Sequence, residues 1–370
     1  MKILFIGGTG RLSSDVAKLA LHKKNKVYLL TRGSDKRKRY INPEYTMIYA
    51  DIRNKVDCKE KIEGLKFDVI IDFLTYNVEE LKSTLEIING HYKQYVFIST
   101  ATVYDKIKKG EKITEKNTPK GNSKWSYSYN KFLCEKYLNE FFKKQHECYY
   151  TIIRPYVTYN EYRIPYPIIP QDNFYEYSLI ERIKQGKNIP VIENGNIKTT
   201  ITNTKDFAKG VVGLFCNDKA INEDFHITSN ENVTWGMVID YIKEYYHSDS
   251  KKVNFSIKEF GKEYPLYKDI LLGDKGREML FDDRKIKGVV PSFNCDILLK
   301  DGINDVIKFY EENKEFRNID YYWYGKIDRI CKDKKEKKFE KYEDKIKYNF
   351  AYYNFPIIIL KVLRKLRIVK

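Results

Sequence analysis

The 370-residue chain predicts an α/β fold, a doubly wound parallel sheet with a smaller C-terminal lobe, on three observations. Short apolar runs alternate with amphipathic stretches through the first half. A glycine-rich turn stands directly after the first apolar run. Beyond residue 155 the alternation loosens, and five prolines (Pro155, Pro165, Pro167, Pro170, Pro190) fall within residues 155–200.

Ile3–Ile6 is expected as a buried strand and Leu12–Lys23 as the first helix. Val27–Leu30 forms a second strand ending at Thr31-Arg32-Gly33, and Met47–Tyr49 a third, followed at once by Asp51. Val69–Phe73, Tyr95–Ser99 and Tyr150–Arg154 are three more, each rich in β-branched or aromatic residues. Later, Asp206–Cys216, Trp235–Tyr246 and Ile303–Asn313 read as helices and Phe225–Thr228 as a strand. In a sheet of this kind the ligand crevice lies outside the carboxyl ends of the strands.

Composition narrows the class. A hydrophobic content of 42% supports a sizeable core, and 32% charged residues with a mean hydropathy of -0.59 point to a soluble chain. No apolar run approaches a membrane span, and the run before Gly7 is too short for a signal-peptide core. The six cysteines are scattered without a C-x-x-C pair, which predicts reduced thiols in a cytoplasmic protein and no metal site. Net charge is +17, of which residues 331–370 supply +8 through 13 Lys/Arg against five Asp/Glu. The rest is spread evenly, so basicity alone argues poorly for nucleic acid.

Gly7-Gly8-Thr9-Gly10 opens the first helix straight after the first strand. Glycines there let backbone approach a pyrophosphate, and the helix N-terminus offers N–H donors and partial positive charge. The competing reading is an ordinary strand–helix turn, which seldom needs three glycines in four residues. The third glycine of a G-x-x-G-x-x-G pattern would fall at Ser13, small enough to be tolerated with a looser helix–sheet fit. The second strand ends at Arg32 without an acid, and Arg11 lies in the turn; both favour a 2′-phosphate and hence NADP(H), with NAD(H) the alternative. Asp51 is placed either to accept from an adenine amino group or to cap the next helix.

Tyr127-Ser-Tyr-Asn-Lys131 sets a phenol and an ammonium one helical turn apart. Hydride transfer at a carbinol carbon needs a proton acceptor for the hydroxyl. A phenol with a pKa of about 10 becomes one when nearby cations favour its phenolate. The spacing alone means little among 32 tyrosines. Its context is Phe97-Ile-Ser-Thr-Ala-Thr-Val-Tyr104, a strand ending in hydroxyl residues about 25 residues upstream. Thr100 is the candidate to orient a substrate oxygen; a capped strand end is the competing reading.

With these stretches in place the chain resembles the extended short-chain dehydrogenase/reductase family, also called NAD-dependent epimerase/dehydratases. The matching segments are GGTGRLS at 7–13, ADI at 50–52, FISTATVY at 97–104, YSYNKFLCE at 127–135 and IIRP at 152–155. NTKDFAKG at 203–210, FHITSNENVTW at 225–235, LLGDK at 271–275 and FDDRKIKGVVP at 281–291 extend it to roughly residues 1–315. The resemblance implies a Rossmann-type dinucleotide-binding domain over 1–155, a substrate-binding lobe over 156–330 interleaved with the last Rossmann elements, and a basic amphipathic tail over 331–370. It implies a proton relay of Thr100, Tyr127 and Lys131. The cofactor-binding set it implies is Gly7, Thr9, Gly10, Arg11, Leu12, Arg32, Asp51, Ile52, Lys131 and Pro155.

For the reaction, the resemblance implies an oxidoreductase step on a nucleotide sugar, as a 4-epimerase or a 4-ketoreductase. A 4,6-dehydratase ranks low, because Ala101-Thr102 stands where such enzymes carry Asp-Glu. The alternative of another class is an RNA-binding, non-catalytic member, since some relatives resemble chloroplast stem-loop RNA-binding proteins. Residues 155–200 and 250–280 are expected to form the substrate pocket. A homodimer is a further implication of the resemblance. Residues 355–370 set Ile357, Ile358, Leu360, Leu363, Leu366 and Val369 among five Lys/Arg, a pattern for an anionic membrane surface or for packing on the protein. Lys332–Lys347 reads as a solvated charged helix.

Overall fold

The computed structural model describes residues 1–33 and 42–355. The expectation for the basic amphipathic segment falls almost wholly outside them. The described chain divides into two compact units. The first comprises the described residues of 1–160, 200–232 and 278–298, and the second those of 161–199, 233–277 and 299–355.

The first unit is built on a seven-stranded parallel sheet. In chain order its strands are β1 (Lys2–Ile6), β2 (Lys26–Thr31), β3 (Thr46–Tyr49), β4 (Phe67–Asp72), β5 (Tyr92–Ile98) and β6 (Tyr149–Pro155). The seventh, Glu223–Ile227, closes the edge next to β6, giving the order seventh-β6-β5-β4-β1-β2-β3. This is the doubly wound, Rossmann-like arrangement the sequence predicts. Alternation along the strands feeds two cores. Ile3, Phe5, Val27, Leu29, Val69 and Ile71 pack on one face against α1 (Ser13–His22) and the helix Thr204–Gly213. Leu4, Ile6, Leu30, Ile70, Tyr95 and Phe97 pack on the other against α2 (Lys55–Ile62), α3 (Val78–Ile88) and α4 (Ser126–Phe142).

A buried ion pair binds α4 to the sheet. The Arg154 guanidinium on β6, 1% exposed, donates to both oxygens of Glu135 on α4, each at 2.8 Å. It also donates to the Tyr104 hydroxyl at 2.9 Å and pairs with Asp224 on the seventh strand. Asp224 is held well below the usual carboxylate range by Arg154, Lys120 and Lys285 against the opposing effect of burial.

The second unit has a two-strand parallel ladder, Ile189–Ile192 with Lys252–Phe255, among helices that include Tyr177–Lys184 and Trp235–Tyr246. Its buried node is Arg182, paired with Asp328 and Asp333. Asp328 also accepts from Lys187 at 2.8 Å and from the Tyr348 hydroxyl at 2.7 Å. The expected solvated helix over Lys332–Lys347 is therefore corrected. Residues 332–341 are irregular, the helix runs Tyr342–Tyr352, and Tyr348, Phe350 and Ala351 are buried. The charged run conceals Asp333 and Glu336, which take up Arg182 and Lys187.

Removing one partner of a buried pair strands the other charge. Arg154→Met is expected to destabilise the fold by about 3–5 kcal/mol, read as a lower urea midpoint. The double variant Arg154→Met/Glu135→Leu should recover part of that loss.

Candidate functional site

The sequence-derived site residues gather at the carboxyl ends of the parallel strands. At the end of β1 the chain turns through Gly7, which has φ +87° and donates its N–H to the Leu30 carbonyl at 3.1 Å. A Cβ on Gly8 would lie 2.5 Å from a Leu29 methyl. The turn thus requires glycine for both conformation and space. Ser13 is buried, donates its hydroxyl to the Gly7 carbonyl at 2.7 Å and accepts the Gly10 N–H at 2.8 Å. Its side chain ties the turn to itself, which a glycine could not do.

Leu12 stands in the cap position of α1 and no side chain caps that helix. The first-turn N–H groups and the helix dipole therefore suit an anion. Thr9, Gly10, Arg11 and Leu12, each half-buried, are the residues that could hold a dinucleotide pyrophosphate at this turn.

At the ends of β2 and β3, Arg32 and Asp51 face each other, with 4.0 Å between guanidinium and carboxylate. Asp51 does not cap α2: Asn54 does, accepting the Asp57 N–H at 3.3 Å. Asp51 accepts the Arg53 N–H at 3.0 Å and remains partly exposed. Ile52 beside it is buried. Pro155 ends β6 in register with Ile227.

Tyr127 and Lys131 lie on the first turns of α4, which Trp125 precedes as N-cap residue. The Lys131 side chain runs inward until it is 2% exposed. Its ammonium donates to the Thr75 and Ile98 carbonyls, both at 2.6 Å, just beyond β4 and at the end of β5. The Tyr76 and Phe97 rings lie 4.9 and 4.8 Å from it. Burial pulls its pKa down to about 8, against the opposing pull of Asp72. The Tyr127 ring packs against Trp125 at 4.9 Å and Tyr76 at 6.2 Å.

Thr100 follows β5, buried, and caps the short 3-10 turn Ala101–Val103 through its bond from the Thr102 N–H at 3.3 Å. The capped-end reading is thus a fact of the backbone, and it leaves the hydroxyl at the same strand edge as Lys131. Asp72, Thr75, Tyr76, Trp125, Ser128 and Glu135 also shape this region and were not singled out from the sequence. Asp72 accepts the Thr75 and Tyr95 hydroxyls at 2.6 and 2.7 Å. Ser128 and Glu135 share the buried face of α4 with Lys131, a clue that helical spacing already held.

All six cysteines are unpaired, and no metal-binding cluster exists among the described residues. No described helix is long and apolar enough to cross a membrane.

A glycine turn before α1, a parallel doubly wound sheet and a helix that carries half-buried Tyr127 one turn before buried Lys131 define a dinucleotide-binding type of α/β protein. Residues 3–227 match the NAD dependent epimerase/dehydratase family, and the chain belongs to it. Chloroplast stem-loop binding protein of 41 kDa b from Arabidopsis thaliana is 25% identical over 319 residues, covering 80% of this chain and 79% of that protein. Solved structures share the fold. UDP-glucose 4-epimerase from Thermotoga maritima, solved with UDP-glucose, has a TM-score of 0.67 at 17% identity, covering 85% of this chain and all (100%) of that one. UDP-glucuronic acid 4-epimerase from Bacillus cereus, solved with NAD, gives 0.66 at 17%, covering 84% and 99%. The dTDP-glucose 4,6-dehydratase from Bacillus anthracis, also with NAD, gives 0.66 at 20%, covering 85% and 98%.

Lys131 makes stability depend on pH. Its folded pKa of about 8 lies below that of a free lysine, so the folded state sheds the proton first. Between pH 8 and about 10.4 the unfolded chain binds more protons, and stability rises with pH. Lys131→Met is expected to abolish that contribution, at most about 3 kcal/mol. The check is the difference in urea midpoint between wild type and variant at pH 7.5 and 10.

Proposed function

We propose that the protein is an NAD(P)-dependent oxidoreductase acting on a nucleotide sugar, as a 4-epimerase or a 4-ketoreductase, with Thr100, Tyr127 and Lys131 as its proton relay. The observation that carries this reading is the buried Lys131 ammonium, held by two carbonyls one turn from Tyr127. Burying a cation is costly unless it is paired or used. A nicotinamide ring, when bound, supplies the acceptor and donor of hydride. Tyr127 takes the proton of the sugar hydroxyl and returns it in the reverse step. In this reading Lys131 supplies the positive charge that favours the phenolate form. Two of its three N–H bonds are already directed at carbonyls, and the third serves a cofactor ribose hydroxyl. Thr100 donates to the substrate oxygen.

The absence of carboxylates at Ala101 and Thr102 weighs against 4,6-dehydration, which needs its own acid and base. Arg32 favours an adenosine 2′-phosphate, although Asp51 beside it moderates that charge. Arg32→Ala should therefore raise KM for NADP(H) more than for NAD(H), measured side by side.

A panel of UDP-glucose, UDP-glucuronic acid and 4-keto sugars tests the reading. Turnover without net cofactor use marks an epimerase, and stoichiometric loss of 340 nm absorbance a reductase. Tyr127→Phe should lower kcat by about 10²–10⁴-fold while cofactor affinity stays within about twofold of wild type. Intact turnover in that variant would remove the phenol from the mechanism.

One observation favours a second reading, RNA contact. Residues 105–124 carry seven lysines against three acids, and Lys106, Lys108, Lys109, Lys112, Lys116 and Lys124 are exposed. This is about twice the chain's overall density of Lys and Arg, 68 in 370 residues. The Arabidopsis relative is named for stem-loop binding. Binding of an RNA hairpin, measured by anisotropy, should then weaken steeply with salt and weaken further in Lys108→Glu/Lys109→Glu/Lys112→Glu. Equal affinity in wild type and the triple variant would dismiss this loop as an RNA site.

A further inference from the structure

We infer that Thr102 is a positioning residue whose hydroxyl links Ser128 on α4 to Thr100 after β5 and turns the Thr100 proton outward, as a donor to the substrate oxygen. The inference rests on the reading of Thr100 as the hydroxyl that meets substrate.

The geometry is a chain of three buried hydroxyls. Ser128 Oγ donates to Thr102 Oγ1 at 2.7 Å, and Thr102 Oγ1 lies 3.1 Å from Thr100 Oγ1. The Thr102 N–H adds a second contact to Thr100 Oγ1 at 3.3 Å. The Thr102 carbonyl in turn accepts from Asn122 Nδ2 at 3.0 Å, which fixes the turn that carries it.

A hydroxyl offers one hydrogen and two lone pairs. Thr102 accepts from Ser128, so its own hydrogen is available for Thr100. Thr100 Oγ1 then accepts twice, from the Thr102 hydroxyl and from the Thr102 N–H. With both lone pairs occupied, Thr100 is left only with its hydrogen to offer. The opposite direction, Thr100 donating to Thr102, gives Thr102 two donors and leaves its own hydrogen without an acceptor among the hydrogen bonds of this chain of hydroxyls. Buried hydroxyls without acceptors are disfavoured, and successive bonds in one direction reinforce each other.

The same chain has a geometric effect. Ser128 follows Tyr127 directly on α4, so the bonds through Thr102 fasten the strand end that bears Thr100 to the helical turn that bears the phenol. Thr102 itself touches neither substrate nor cofactor in this scheme. It occupies the second of the two positions where a dehydratase would carry its carboxylates, and uses it to set a hydrogen-bond direction.

Thr102→Val keeps the shape and the main-chain N–H while removing the hydroxyl, and Thr102→Ser keeps the hydroxyl. Two measurements decide. In crystals grown with NAD⁺, Thr100 should hold one χ1 rotamer in wild type and in Thr102→Ser, and two in Thr102→Val. With whichever of UDP-glucose, UDP-glucuronic acid or a 4-keto sugar the wild type turns over, kcat should fall about tenfold in Thr102→Val, with KM for cofactor unchanged and kcat regained in Thr102→Ser. A single Thr100 rotamer in Thr102→Val overturns the inference, as does a Thr102→Ser variant that fails to regain kcat. If no sugar is turned over by the wild type, the enzyme reading falls by itself, and the rotamer measurement alone decides the role of Thr102.

Discussion

The burial of one ammonium constrains most of the first unit. Lys131 reaches the interior because two carbonyls, of Thr75 and Ile98, converge on it where β4 and β5 finish. The Ile98 carbonyl closes β5 and the Thr75 carbonyl lies in the turn after β4, and a cation from an overlying helix satisfies both. The helix must then lie where its inner face meets that edge. Glu135, one turn further on, anchors the same face to Arg154 on β6. Together the two contacts fix both the height and the rotation of α4, and with them the position of Tyr127.

Two small residues show how hydroxyls take over tasks that shape alone would otherwise perform. Ser13 stands where a third glycine would allow close packing, and its hydroxyl binds the two ends of the phosphate-type turn instead. Thr102 stands beside Thr100 and links it to Ser128. In both places a short polar side chain is buried with its hydrogen-bonding capacity engaged, which avoids the penalty of an unsatisfied group.

Local pattern made much of the sheet legible. The apolar runs at residues 3–6, 27–30 and 69–73 mark strands because both faces of a parallel sheet are covered there, so the signal is continuous rather than alternating, whereas the edge run at 47–49 buries only Ile48. The spacing of Tyr127 and Lys131 already placed both on neighbouring turns of a helix. The ion network was not legible. Arg154 meets Glu135 across 19 residues and Asp224 across 70, and no periodicity relates such positions. The charged stretch after Lys332 misled for a related reason: a run of Lys and Glu looks solvated until the partners in the fold, here Arg182 and Lys187, are known. Asp51 was ambiguous between ligand and cap because Asn54, three residues on, competes for the capping role.

The first unit is assembled from three separated stretches of chain, and its edge strand arrives only at residues 223–227. A growing polypeptide that has delivered residues 1–160 already contains Arg154 and Glu135, but not the Asp224 that completes the charge balance around the guanidinium. Emergence from the ribosome therefore cannot proceed as a finished first domain followed by a second. The nascent sheet must wait, with β6 as an unpaired edge, while the intervening segment is synthesised.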